Sequence, residues 1–234
     1  MPKDEVARII CEVLTTADTK YLKQVHIVDI TDQVLPLIAG AFLKKNKQDS
    51  VIDLPLVIIL NQDELSSAIQ ECQKGTLLIH NRVKVYISCN DITKVKADAI
   101  VCSNDVNLSS SSGLAKKIAD LCGKDYRKQL EQAAKNNNLR PADVFCLRSD
   151  KLGLVINAVV PRLKSLLIKR NYEDGAFKEL LSATFHNAID NANKHEVSCL
   201  AISPLGSGKS SKEINISVSC GITDFDITSS FYAR

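Results

Sequence analysis

The chain has 234 residues, 45% hydrophobic and 24% charged, a globular composition with room for one or two domains. Its 30 basic and 27 acidic residues leave a net charge of +3, too balanced for bulk electrostatics to draw the chain to nucleic acid or acidic lipid. No apolar run approaches the roughly 20 residues of a membrane-spanning helix, and Met1-Pro2-Lys3-Asp4-Glu5 lacks the apolar core of a signal peptide; the expected location is intracellular, cytoplasmic or nuclear.

Residues 3–17 place Val6, Ile9, Ile10, Val13 and Leu14 at helical spacing. Residues 25–30 read as a short strand. Thr31 then looks like the N-cap of a helix with Val34, Leu35, Ile38 and Phe42 on one face, and Pro36 falls early enough to be tolerated. This α–β–α segment covers residues 1–47 and closes with a polar run. Residues 48–81 form a connecting segment: a buried strand over 56–60, a short helix over 63–73 ended by Gly75, a strand over 76–79 and a turn at His80-Asn81. From Val83 the pattern is α/β. Strands are expected over 83–87, 99–102, 144–147, 154–160 and 197–202. One helix carries Leu114, Ile118, Leu121 and Cys122, and the strongest helical stripe runs from Phe177 to Ala192. Residues 214–225 fit an alternating strand or one helical face, and their position after a glycine-rich loop favours helix.

Eight cysteines occur, at positions 11, 72, 89, 102, 122, 146, 199 and 220, none in a CxxC pair, and the four histidines lack metal spacing. Reduced thiols packed as small hydrophobes, and no metal site, are expected. Two loops follow parallel-type strands, residues 102–113 and 203–211. In an open α/β sheet, ligands bind beyond the carboxyl ends of the strands. A Ser- and Asn-rich run that feeds a helix offers unpaired N–H groups and the positive end of the helix dipole, an arrangement suited to a phosphate. The structural alternative is a pair of ordinary connections. Residues 203–210 nearly spell a Walker A loop, with Ser203 in place of its first glycine. Only 24 residues follow Ser210, too few for the strands that would bring a magnesium-binding Asp, so a P-loop nucleoside triphosphatase is disfavoured. Ser109 to Ser112 have no His nearby in sequence and read as loop solvation rather than a nucleophile.

Five short motifs occur in order: Asp91-Ile92-Thr93, Asp98-Ala99-Ile100-Val101, Gly113-Leu114-Ala115, residues 155–162 (Val-Ile-Asn-Ala-Val-Val-Pro-Arg) and Gly206-Ser207-Gly208. Together they resemble a macrodomain, the ADP-ribose-binding fold. Residues 22–30 and the helix after them resemble the final strand and helix of another macrodomain. The chain thus resembles a fragment of a tandem-macrodomain poly(ADP-ribose) polymerase, without resemblance to that family's transferase domain. The implied fold is three-layer α/β, a mixed, mostly parallel sheet between helices, with residues 82–234 as a C-terminally incomplete macrodomain behind the N-terminal α–β–α segment. Residues 25–30 are expected to dock on the main sheet, in cis or between chains, like a circularly permuted final strand.

By this resemblance Asp91 accepts from the adenine amino group and Ile92 lies against the base. Asn104, Asp105, Gly113, Leu114 and Val160 line the first loop and its neighbour, and Gly206, Ser207, Gly208 and Lys209 form the second phosphate loop. A carboxylate suits an exocyclic amine because it only accepts; the plainer reading of Asp91 is a turn or cap residue. The departures matter equally. Asp105 stands where hydrolytic macrodomains carry the Asn that meets the distal ribose, residues 110–112 are serines where glycines are usual, Val160 replaces a glycine, and Lys209-Ser210-Ser211 replaces an aromatic and a glycine. Asp105 beside a diphosphate would repel it, and Lys209 would offset part of this. The expectation is a binder of ADP-ribose or ADP-ribosylated protein without catalytic residues or a cofactor. The alternatives left open are a residual ADP-ribosyl hydrolase and a non-binding scaffold.

Overall fold

A computed structural model describes residues 3–17, 19–30, 34–48, 58–59, 75–80, 83–161 and 174–206. The chain opens with helix α1 (Lys3–Thr16), strand β1 (Gln24–Asp29) and helix α2 (Leu35–Gln48). Next come β2 (Ile58–Ile59), β3 (Gly75–His80), β4 (Val83–Cys89), a single 3-10 turn at Ile92–Lys94, and β5 (Ala99–Asn104). Helices α3 (Gly113–Cys122) and α4 (Lys124–Asn137), strands β6 (Val144–Ser149) and β7 (Gly153–Val159), helix α5 (Asp174–Lys194) and strand β8 (Cys199–Ile202) follow among the described residues. The cap expected at Thr31, the helix over 63–73 and the segment 214–225 lie outside the described residues.

The eight strands among the described residues join one sheet in the order β2-β3-β4-β1-β8-β5-β7-β6. The five in the middle, from β4 to β7, are parallel. Strands β2, β3 and β6 add antiparallel edges. The result is a three-layer α/β fold with a mixed, mostly parallel sheet. Strand β1 does dock on the main sheet, within the chain and at its centre: Val25 pairs in register with Val85 of β4 on one side and Leu200 of β8 on the other.

Side chains of a strand alternate between faces, so a sheet covered on both sides reads as a continuous apolar run. One face carries Val25, Ile27, Val85, Ile87, Val101, Ile156 and Leu200, packed with Ile10, Val13, Ile38, Phe42, Leu181, Phe185 and Ile189 of α1, α2 and α5. The opposite face carries Val28, Ile100, Val155 and Ala201 beneath Ala115 and Ile118 of α3 and Tyr126, Leu130 and Ala133 of α4. The sequence pattern missed α4, whose Tyr126, Leu130 and Ala133 form a narrow stripe in an otherwise polar segment. It also set the last strand too early. Val197 is buried but belongs to the exit of α5: its N–H donates to the Ala192 carbonyl and Glu196 adopts a φ of +56°.

Asp98, at the start of β5, is structural. Its Oδ2 accepts from the Ser198 N–H (3.0 Å), the Ser198 hydroxyl (2.9 Å) and the Cys199 N–H (2.9 Å), which ties the amino ends of β5 and β8 together. Partial burial would raise its pKa, and these donors outweigh that and hold it below the ordinary carboxyl value.

Candidate functional site

The parallel run places the carboxyl ends of β4, β1, β8, β5 and β7 side by side. In that order they deliver Asp91, Ile30, Gly206, Asn104 and Val160. Asn90 donates its N–H to the Asp29 carbonyl (3.0 Å) and the Cys89 thiol reaches the Ile30 carbonyl (3.5 Å), so the end of β1 adjoins the Asn90-Asp91 corner. The Ile30 side chain, 75% exposed, stands at that corner.

Asp91 caps the 3-10 turn. Its Oδ1 accepts from the Thr93 N–H (3.1 Å) and the Thr93 hydroxyl (2.7 Å), and its own N–H donates to Asn90 Oδ1 (2.7 Å). The cap role and an outward-facing carboxylate coexist, because Oδ2 points to the Nζ of Lys117 on α3, 2.5 Å away. Burial alone would raise the pKa of Asp91; the Lys117 ammonium, then the Thr93 hydroxyl and N–H, reverse this and hold it below its ordinary value. Ile92 is buried and packs into the α3/α4 core.

Asn104 closes β5 inside a buried polar network. Its Nδ2 donates to Asn157 Oδ1 (2.9 Å), which also accepts from the Tyr126 hydroxyl (3.1 Å), while Asn157 Nδ2 donates to the Phe145 carbonyl (3.1 Å). The Asn104 carbonyl accepts the Val160 N–H (2.9 Å), which ties the ends of β5 and β7. Two buried polar atoms at this end of the sheet, Asn90 Nδ2 and Asn104 Oδ1, have no partner among the described residues. Such atoms normally find a protein group, a water or a ligand.

Asp105 turns its Oδ1 into its own loop and accepts from the N–H groups of Asn107 and Ser109, both at 3.0 Å. The loop runs through Leu108, buried and at a φ of +48°, to Ser110, whose hydroxyl accepts from Arg127 on α4 (3.2 Å). Arg127 also pairs with Asp120. Helix α3 begins at Gly113, whose φ of +60° suits glycine, and the Ser112 side chain makes no capping bond. Leu114 packs partly against the core behind this loop. In the second loop, Gly206 takes a φ of +80°, and an added Cβ there would lie 3.4 Å from Leu181. Ser207, Gly208 and Lys209 lie outside the described residues.

Thus Asp91, Ile92, Asn104, Asp105, Gly113, Leu114, Val160 and Gly206 gather at one end of the sheet. Sequence reasoning missed Lys117 and Arg127, which carry no motif of their own and come to the site through α3 and α4. Burial pushes the Cys102 thiol on β5 up to about 12 despite a hydrogen bond from the Asn104 amide, and the Cys199 thiol, at the opposite, amino end of β8, up to about 11.

The macro domain family matches residues 101–221, slightly more than half the chain. Among solved structures, a mutant of the Oceanobacillus iheyensis macrodomain is 19% identical, with 61% of this chain and 73% of that chain covered and a TM-score of 0.51. The same macrodomain with ADP gives 20% identity, 56% and 68% coverage and a TM-score of 0.49. The macrodomain of Mycobacterium tuberculosis DarG gives 16% identity, 51% and 74% coverage and a TM-score of 0.41. No curated protein matches the chain. The protein belongs to the macrodomain family.

Proposed function

We propose that this chain is an ADP-ribose-recognising module that binds the free nucleotide or ADP-ribosylated protein through the carboxyl ends of its parallel strands. The observation that carries this reading is the convergence, in a macrodomain-family chain, of the Asp91 carboxylate with two loops at glycine-type φ angles. Asp91 accepts from the adenine amine, and the loops at Gly113 and Gly206 offer backbone N–H groups to the diphosphate. The module is a binder rather than an enzyme. Asp105 stands where hydrolytic relatives carry Asn, and its Oδ1 already serves the loop's backbone. The resemblance to a tandem-macrodomain poly(ADP-ribose) polymerase fragment extends the proposal to a cytoplasmic or nuclear protein that recruits modified partners.

One observation favours a second reading, a scaffold that binds nothing: three donors already surround the Asp91 carboxylate. Calorimetric titration with ADP-ribose, AMP and ATP separates the two. The expected result is saturable ADP-ribose binding, tighter than AMP or ATP. Asp91→Ala should weaken it by about ten- to a hundredfold, as expected for the loss of a hydrogen bond to a charged acceptor, without lowering helix content. Equal affinity in a folded Asp91→Ala variant would reject the adenine assignment. Absence of any ADP-ribose heat would leave the scaffold reading, and turnover of a mono-ADP-ribosylated protein would replace both with a hydrolase.

A further inference from the structure

We propose that Lys117 and Asp91 act together as a two-point reader of the base edge, so that the site takes 6-oxopurine as well as adenine nucleotides. This rests on the reading of Asp91 as the base-contacting residue. Oδ1 of Asp91 is committed to Thr93, which leaves Oδ2 as the outward acceptor, and Lys117 Nζ lies against that same oxygen. A carboxylate oxygen accepts about two hydrogen bonds and an ammonium donates three. The pair therefore presents an unused acceptor site beside unused donors, and both groups reach solvent, with 46% of the Lys117 side chain and 20% of the Asp91 side chain exposed.

The Watson–Crick edge of a purine is complementary to such a pair. Adenine places its amino N–H toward Oδ2 and its N1 lone pair toward the ammonium. Hypoxanthine reverses the order: N1–H donates to Oδ2 and O6 accepts from the ammonium. A lone carboxylate aimed at the exocyclic position would reject the oxo base, because two acceptors would face each other without a proton between them. The lysine stem is flexible and its ammonium can lie on either side of Oδ2. Lys117 thus removes the discrimination that Asp91 alone would impose. Arg127 on α4 is engaged with Ser110 and Asp120.

The test is calorimetric titration of the full chain with ADP-ribose and with inosine diphosphate ribose, for the wild type, Lys117→Met and Lys117→Arg. The wild type is expected to bind both ligands within about tenfold of each other. Lys117→Met should weaken ADP-ribose a few fold but the inosine ligand about ten- to a hundredfold, the range of a charge-assisted hydrogen bond. Lys117→Arg should restore the inosine ligand. Binding of ADP-ribose with the inosine ligand over a hundredfold weaker would overturn this inference and leave the ADP-ribose reading standing. Equal weakening of both ligands by Lys117→Met, or tighter ADP-ribose binding, would also overturn it, the latter by showing that Lys117 merely competes for Asp91. If the wild type binds neither ligand, the ADP-ribose reading falls and this inference falls with it.

Discussion

At the scale of single residues, the polar groups buried inside the sheet matter most after the site itself. His26 on β1 is 3% exposed and stacks on its register partner Tyr86 of β4, with ring centroids 4.7 Å apart. Its Nδ1 and the Ser88 hydroxyl are buried with no partner among the described residues. Burial holds the His26 pKa down to about 4, against 6.5 for an unperturbed histidine. The unfolded chain therefore takes up a proton as pH falls through 6.5, while the fold resists until about 4. The loss of stability from His26 accrues across that window as pH falls, at roughly 1.4 kcal/mol per pH unit to about 3 kcal/mol in total, and persists below it. Urea denaturation at pH 7 and pH 4.5 should show this loss in the wild type and a smaller one in His26→Phe, which keeps the stacked ring without the titrating nitrogen. Equal losses would show that His26 does not set this pH dependence. At the site, Asp91 and the glycines were legible as residue types. The partners that decide what Asp91 can do, Lys117 above all, were not, because a lysine at mid-helix carries no signal beyond a solvated face.

At the scale of elements, β1 is the feature with the largest consequence. It occupies the middle of the sheet, hydrogen-bonded on both edges, and α1 and α2 cover the adjoining face. Removing it would leave β4 and β8 with open edges and uncover Val85, Ile87, Leu200 and Ile202. Each of these buried side chains is worth about 1.5–3 kcal/mol, and exposed apolar edges invite association. A chain beginning at Gln73 should therefore be less soluble and more aggregated than the full chain; size-exclusion chromatography with light scattering decides the point. An equally stable, monomeric product would show that residues 3–48 contribute little to the fold. Both α1 and β1 were readable in advance, because the apolar spacing at 6, 9, 10, 13 and 14 and the run at 25–30 are strong local signals. Helix α4 was not: its three buried positions acquire meaning only once Tyr126 is seen to reach Asn157 across the layer.

At the scale of the whole molecule, the chain order and the spatial order disagree in an informative way. Glu5 of α1 pairs with Lys178 of α5 (3.0 Å), and Thr16 of α1 lies 3.4 Å from His186 further along α5, so the two helices run alongside in the same direction. Gly206, just past β8, packs beside Leu181, one turn from Lys178. The start of α1 thus lies near the point where the chain leaves β8, and β8–α1–β1 is arranged spatially like a crossover between adjacent parallel strands. A rearranged chain running from Gly75 to Gly206 and then, through a short flexible linker, from Lys3 to Gln48 should fold cooperatively, with a circular dichroism spectrum like that of the original order. Failure to fold would show that the omitted residues, 49–74 between α2 and β3 or those after Gly206, contribute more than a tether. By itself the sequence determined the α/β class, the carboxyl-end loops and the motifs of the family, because periodicity, glycine placement and short polar runs act over a few residues. Only the tertiary structure decided that an N-terminal strand fills the centre of the sheet, and that a lysine from α3 meets Asp91. Both depend on pairings between segments distant in the chain, whose cost in chain entropy and gain in burial are settled only when the whole sheet assembles.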